Sequence, residues 1–391
     1  MNDNALTEQI LGRIRRRAFL TGSTASALLA LGAILSPERF FESYLFAYVY
    51  WAGIPLGCLG LLLLHHLVSG RWGHALQRFL EAGSRTLPVM AVLFLPIVAG
   101  LDHLYPWTHE AAGEGHGHVA AKAAYLNIPF FLVRTGVFFL FWIGVAFLMS
   151  RWSRKQDVSR DPMITRNMKR VSAPALIIFV LLGTFASIDW MMSLEPEWFS
   201  SIYALMIIAG QALSALAFCV LGVQLLGSSK PLSDLLTETH YHHFGNLLLA
   251  LTMFWAYLAF SQYLIIWSAN LPEETSWYIH RLNGGWSAVG VLILVGHFFV
   301  PFFLLLSRKT KRAIRPLAGV AAGLLAMRLI DYFWLIKPAF SPNLLMVHWM
   351  DFVATAAIGG LLIGFFVTQF QRAPITVVYD PRFPRSGEKH G

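Results

Sequence analysis

Residues 186–198 read ASIDWMMSLEPEW, with Asp189 late in a run that is otherwise apolar from 173 to 193. An ionisable side chain at the centre of a lipid-exposed helix costs ~2.5–3.5 kcal/mol on insertion scales. Such a residue is therefore expected to face a protein interior and to have a partner. The stretch is also half of an internal repeat. Arg166, Lys169, Arg170 and Pro174 precede it, and 142 positions further on the chain carries Arg308, Lys311, Arg312 and Pro316 at the same spacing. Ile188-Asp189-Trp190 then matches Ile330-Asp331-Tyr332, and Pro196-x-Trp198 matches Pro338-x-Phe340, with no gap. A weaker echo pairs LDHLYPW at 101–107 with SQYLIIW at 261–267, where Gln262 replaces Asp102.

Around these motifs the composition is far from that of a soluble protein: 56% of residues are hydrophobic, 13% are charged and the mean hydropathy is +0.57. Crossing the hydrocarbon takes ~20 mostly apolar residues. Ten segments qualify, at 18–36, 44–67, 86–104, 125–150, 173–193, 199–226, 245–268, 284–307, 316–336 and 344–369. The echoes map the third and fifth spans onto the seventh and ninth, an offset of four that preserves direction. The expected fold is thus an all-α polytopic membrane protein with two pseudo-symmetric four-helix bundles, related by an axis along the membrane normal, and two peripheral helices. Residues 1–40 would form the N-terminus and first helix, 41–198 the first bundle, 199–340 the second, and 341–391 the tenth helix and tail. Gly53-x-x-x-Gly57 and Gly360-x-x-x-Gly364 are expected to let helices approach closely.

Basic residues orient the spans. With the N-terminus inside, the inner connections hold 24 of the 30 Lys and Arg, and the outer loops hold only Arg39, Lys122, Arg281 and Lys337. Both termini are expected to be cytoplasmic, and the net charge of +9 is a topology signal, which excludes nucleic acid as the inferred partner. Arg16-Arg17-Ala18-Phe19-Leu20 imitates a twin-arginine export signal, but the charge alternation downstream requires this segment to be an uncleaved first helix. Cys58 and Cys219 are the two cysteines, with no CxxC or CxxCH, so a self-contained iron–sulfur cluster or c-type haem in this chain is excluded. Of the histidines, His297 alone lies deep in a span; His65, His66, His242 and His243 fall near inner ends and His348 near an outer one. No axial pair for a b-type haem emerges, so redox cofactors would have to sit in other chains.

With directions assigned, Asp102, Asp189, Asp331 and Asp351 all fall toward the outer side, and Arg134 and Arg328 lie at comparable or slightly greater depth. Arg328 and Asp331 share a helix face three residues apart, and His348 and Asp351 repeat that spacing. Two readings stay open. These charges are ion pairs that hold helices together, or they line a polar pocket or proton path; for Asp102 and Asp351, near helix ends, solvation at the interface competes as well. His297 reads either as hydrogen-bonded packing or as a proton-transfer group. His109, His116 and His118, in the Gly-rich outer loop, are expected to be solvated rather than to bind metal, and THYHH at 239–243 reads as an interfacial belt or an inner proton-uptake point.

FASIDWMMSLEPEWFSSIYALMIIAGQALSA, THYHHFGNLLLALTMFWAYLAFSQYLIIWSANLPEE, and RLIDYFWLIKP followed by HWMD resemble the F subunit of bacterial alternative complex III, a quinol:electron-acceptor oxidoreductase, and the related NrfD or polysulfide-reductase-type membrane subunits. The resemblance covers nearly the whole chain beyond the first helix. It implies a location in the bacterial cytoplasmic membrane and partners comprising a sister NrfD-like subunit, a multihaem c-type cytochrome and iron–sulfur subunits. Quinol or menaquinol would be the substrate of the complex, with haem c and iron–sulfur clusters in the partners and no cofactor held by this chain alone. This subunit would not be catalytic by itself. The proposed proton path would use Asp102, Arg134, Asp189, His297, Arg328, Asp331, His348 and Asp351. A proton-coupled secondary transporter is the alternative, although Gly53-Ile-Pro-Leu-Gly57 has no proline-containing counterpart near Gly210, where paired helix breaks would be expected.

Overall fold

The computed structural model describes residues 3–109, 122–227, 229–230 and 232–382. Among the described residues all regular structure is helical. Ten helices are long and apolar enough to cross a membrane: α1 Thr7–Leu35, α2 Pro37–Val68, α3 Arg71–Ala99, α4 Ile128–Ser159, α5 Pro162–Leu194, α6 Tyr203–Leu226, α7 Glu238–Ala269, α8 Trp286–Leu306, α9 Ile314–Ala339 and α10 Trp349–Phe370. The chain is a multi-pass membrane protein, and each expected span overlies one of these helices. Several helices run well past the expected span at the end carrying the basic connections, called the inner end below. Helix α4 reaches Ser159, α5 starts at Pro162 and α7 at Glu238. Hydropathy marks hydrocarbon depth, whereas a helix continues into water until a capping residue stops it. Asp161 caps α5 by accepting from the Met163 amide at 2.8 Å, with Pro162 in the first turn. Thr237 and His240 form a capping box at the start of α7.

Burial divides the helices. In their most apolar windows α2 is 83% and α6 is 72% buried inside the protein, against 17% for α1 and 22% for α8. Helices α2 and α6 therefore form the centre and pack on each other. Their crossing needs a glycine: a Cβ at Gly57 would lie 2.0 Å from the Gln211 carbonyl oxygen. Helix α2 also packs on α3 and α5, which are joined through α4; α6 packs on α7 and α9, which are joined through α8. Further contacts link α5 to α6 and α9 to α2. Helix α1 lies mainly along α10, where Gly22 and Gly360 bring the backbones together; a Cβ on Gly360 would lie 2.5 Å from the Gly22 nitrogen. The glycine pairs named from sequence are packing positions.

Two spans are interrupted within their length, and α5 and α9 end in 3-10 turns at Met192–Leu194 and Lys337–Ala339. Helix α3 is interrupted at Thr86 and Phe94, each two residues before a proline, and α8 contains a π-helical segment, Leu294–Phe299, ahead of Pro301. Pro55 in α2 and Pro174 in α5 leave their helices unbroken. Past α10 the chain turns back across the inner ends of the helices, where the Val378 amide donates to Asp157 at 2.9 Å and Arg382 to Ser69 at 3.3 Å.

Candidate functional site

Asp189 lies in the last turn of α5 and Arg134 two turns into α4. The guanidinium clamps the carboxylate through two parallel hydrogen bonds, Nε to Oδ2 at 2.8 Å and Nη2 to Oδ1 at 3.0 Å. Its Nη1 donates to the Tyr125 carbonyl at 2.8 Å, and the cation lies 3.8 Å from the Tyr125 ring centroid and 4.3 Å from that of Phe130. Both partners are buried. A fork-to-fork pair with further donors engaged is the geometry in which a buried ion pair recovers its desolvation cost. A cavity of about 370 Å³ lined by Lys122, Tyr125, Phe185, Ser193 and Phe199 adjoins this pair. Lys122 donates to the Pro196 carbonyl at 2.5 Å, and burial lowers its pKa below the usual lysine range.

At the matching repeat position, Asp331 pairs with Arg328 of its own helix, one turn earlier. Arg328, His297 and Tyr332 are fully buried, yet Arg328 Nε and Nη2, both His297 ring nitrogens and the Tyr332 hydroxyl make no hydrogen bond to protein. The Arg328 guanidinium lies 4.6 Å from the Tyr332 ring and 6.0 Å from Trp255; the His297 ring lies 4.0 Å from Trp255. Room for this cation comes from Gly210, where a Cβ would fall 2.2 Å from Arg328 Nη2. His297 belongs to the π-helical segment of α8, a distortion often found at functional sites.

His348 and Asp351 are brought together as the N-cap of α10. The His348 amide donates to Asp351 Oδ2 at 2.9 Å, and His348 Nδ1 accepts from the Met350 amide at 3.4 Å. The other carboxylate oxygen of Asp351 accepts from Ser43 at 2.7 Å and from Lys337 Nζ at 3.1 Å, and Lys337 also reaches Glu42 at 3.3 Å. Sequence reading missed Glu42 and Lys337. Lys337 was counted as an outer-loop cation but is 2% exposed. Arg281, likewise assigned to an outer loop, is buried and donates to Glu195 at 2.9 Å and to the Leu335 carbonyl at 2.8 Å. One signal was present: Glu195 and Lys337 are 142 residues apart, so the repeat carries opposite charges at one position beside its proline. Asp102 joins none of these groups; its side chain is exposed and His109 Nε2 contacts its carbonyl at 2.7 Å.

Toward the inner end, His65 and His66 are buried side by side, with ring centroids 5.3 Å apart and no hydrogen bond to protein. His240 is occupied in the Thr237 cap, and His242 lies 3.5 Å from the Asn246 side chain. Burial works to raise the Asp380 carboxyl, but Arg382, hydrogen-bonded to both its oxygens, prevails and holds it below the usual carboxylate range. Among the described residues no three His, Cys, Asp or Glu converge to hold a metal ion; His116 and His118 fall outside the described residues. Both cysteines are buried and unbonded as thiols. The chain matches no protein-family model and no curated protein.

Proposed function

We propose that this chain is a membrane subunit of a quinol:electron-acceptor oxidoreductase of the alternative complex III type and that its second bundle carries a proton-conducting site. The observation that carries the reading is the Asp331, Arg328 and His297 cluster, in which buried charge and buried imidazole lack a full set of protein partners. Buried polar groups without partners are rare and call for a functional or solvent explanation. In this reading α2–α5 and α6–α9 are pseudo-symmetric bundles. The support is the neighbour pattern, in which each set closes on itself and α2–α6 contact is flanked by the matching pairs α5–α6 and α9–α2.

Quinol oxidised by the complex near the outer face releases protons, and its electrons leave through haem c and iron–sulfur clusters of partner subunits. This chain's part is local. Asp331 accepts or releases a proton; Arg328 stabilises the ionised carboxylate without chelating it; His297, which packs on Trp255 as Arg328 does, offers two free ring nitrogens for relay through water. The Arg134–Asp189 pair holds α4 to α5 and leaves little capacity for transfer. The transporter reading is weaker, because α3 and α8 are broken while their repeat mates α7 and α4 are continuous.

Asp331→Asn keeps the size and most hydrogen bonding of the side chain but cannot carry a proton. The assembled complex bearing it should oxidise quinol with fewer protons released or translocated per quinol. Lost assembly with an unchanged proton ratio in the surviving complex would make Asp331 a structural residue. A colourless monomer moving a solute in proteoliposomes would replace the subunit reading with the transporter.

A further inference from the structure

A cavity of about 610 Å³ lies apart from the proton site, walled by α1, α2, α8, α9, α10 and the loop that carries Leu345 and Val347. Trp51, Ile330, Phe333 and Ala356 form its depth, and Leu292, Val347 and Phe352 at its mouth are 48%, 58% and 69% exposed. Its volume is that of a ligand pocket, ~300–1,000 Å³, but such pockets carry a few polar groups that orient the ligand. Here the polar groups other than the Thr21 hydroxyl are spent on protein. Asp351 already accepts from Ser43, Lys337 and the His348 amide. Thr355 Oγ1 donates to the Asp351 carbonyl at 2.7 Å, and Trp51 Nε1 to the Thr355 carbonyl at 2.8 Å. A quinone ring, which needs donors for both carbonyl oxygens, finds among the described residues of this wall only the Thr21 hydroxyl, on the exposed side of α1; a hydrocarbon chain loses nothing there.

The opening lies along membrane-spanning helices, so the hydrocarbon that reaches it is the bilayer's own. At the outer end Arg39 stands beside the cavity-lining loop. Its Nη2 reaches only the Met346 sulfur at 3.9 Å, Nη1 is on Glu42 at 3.1 Å, and the side chain is 31% exposed. A guanidinium with a donor to spare matches a phosphate. We infer that this cleft seats one acyl chain of a bilayer phospholipid, with the headgroup phosphate on Arg39. The lipid fills the gap left because α1 lies mainly along α10, and it covers the face of α9 that carries Leu329, Ile330 and Phe333, opposite the one that carries Arg328 and Asp331.

The test uses the full chain with its co-purifying partners in phosphatidylethanolamine nanodiscs doped with a phosphatidylethanolamine bearing a photoreactive diazirine on one acyl chain. After illumination, peptide mapping should find adducts on Trp51, Ile330 and Phe333 several-fold above those on the exposed Phe254, Phe260 and Phe303. Ala356→Phe, which fills the cleft, should reduce the cleft adducts to that surface level, and Val289→Phe on the opposite wall repeats the test if the first variant does not fold. Arg39→Gln should lower cleft labelling a few-fold without closing the cleft. Even labelling over the whole surface, cleft adducts undiminished in both filling variants, displacement by an equal concentration of a prenylated quinone, or crosslinking of another polypeptide there in place of lipid would each overturn the assignment.

Discussion

Asp189 and Asp331 occupy one position of a repeated pattern, yet their surroundings differ in the origin of the arginine. Arg134 comes from the neighbouring helix α4 and can turn its flat fork onto both oxygens of Asp189. Arg328 comes from the same helix as its acid, three residues earlier, and meets it through one nitrogen only. An arginine one turn away on the same helix runs alongside the carboxylate and cannot face it squarely. Its remaining nitrogens are left between Trp255, Tyr332 and Gly210. The first site is therefore a clamp and the second an under-coordinated charge. A duplicated acid does not bring a duplicated pairing; the helix supplying its partner decides the pairing.

The most severe challenge to this contrast is removal of each arginine. Arg134→Ala strands a buried carboxylate and should cost about 3–5 kcal/mol of stability. Arg328→Ala strands Asp331 in the same way but also removes two buried guanidinium nitrogens that have no partner, so it should cost less than Arg134→Ala. Thermal unfolding of the two variants in one detergent measures the gap, and equal losses would mean that the second pair is as fully satisfied as the first. A finer test uses the two buried tyrosines. Tyr105 donates to the Trp190 carbonyl at 3.1 Å beside the first site, whereas the Tyr332 hydroxyl has no protein partner. Tyr105→Phe should therefore cost about 1 kcal/mol. Tyr332→Phe should leave stability unchanged and, if its hydroxyl orders water next to Arg328, slow proton release. A destabilised Tyr332→Phe protein would show that the second site is better paired than its geometry indicates.

The smallest effect sharpens the comparison by separating membrane titration from that of the inner tail. Asp380 is held by Arg382 below the ordinary carboxylate range. Its depressed folded-state pKa makes its contribution complete above the unfolded value, ~3.9, and the contribution is lost as pH falls through the lower folded value. In a pH series the stability of Asp380→Asn should lie slightly below that of the parent at neutral pH, by about 1 kcal/mol or less, and converge with it below pH ~4. Convergence at higher pH would assign the acid limb to another group, and proton-release measurements above pH ~5 should then be free of the tail's contribution.

Ten apolar spans and the isolated aspartates near their ends were legible in the sequence. Hydropathy and charge are sums over neighbouring residues, and a lone carboxylate in an apolar run stands out whatever surrounds it. The repeat was legible for the same reason, since spacing along the chain survives without knowledge of the fold. Partner choice was not. The bond from Arg134 to Asp189, the joining of Glu42 and Asp351 through Lys337, and the burial of Arg281 each bring together residues from different helices or loops. Which faces meet depends on how each helix is rotated and tilted, and that is set by close contacts such as Gly57 on Gln211 and Gly210 on Arg328. Lys337 shows the limit most sharply. By hydropathy a lysine after an apolar helix belongs to the surface; only the arrival of Glu42 from α2 and Asp351 from α10 supplies the two carboxylates that let its ammonium remain buried.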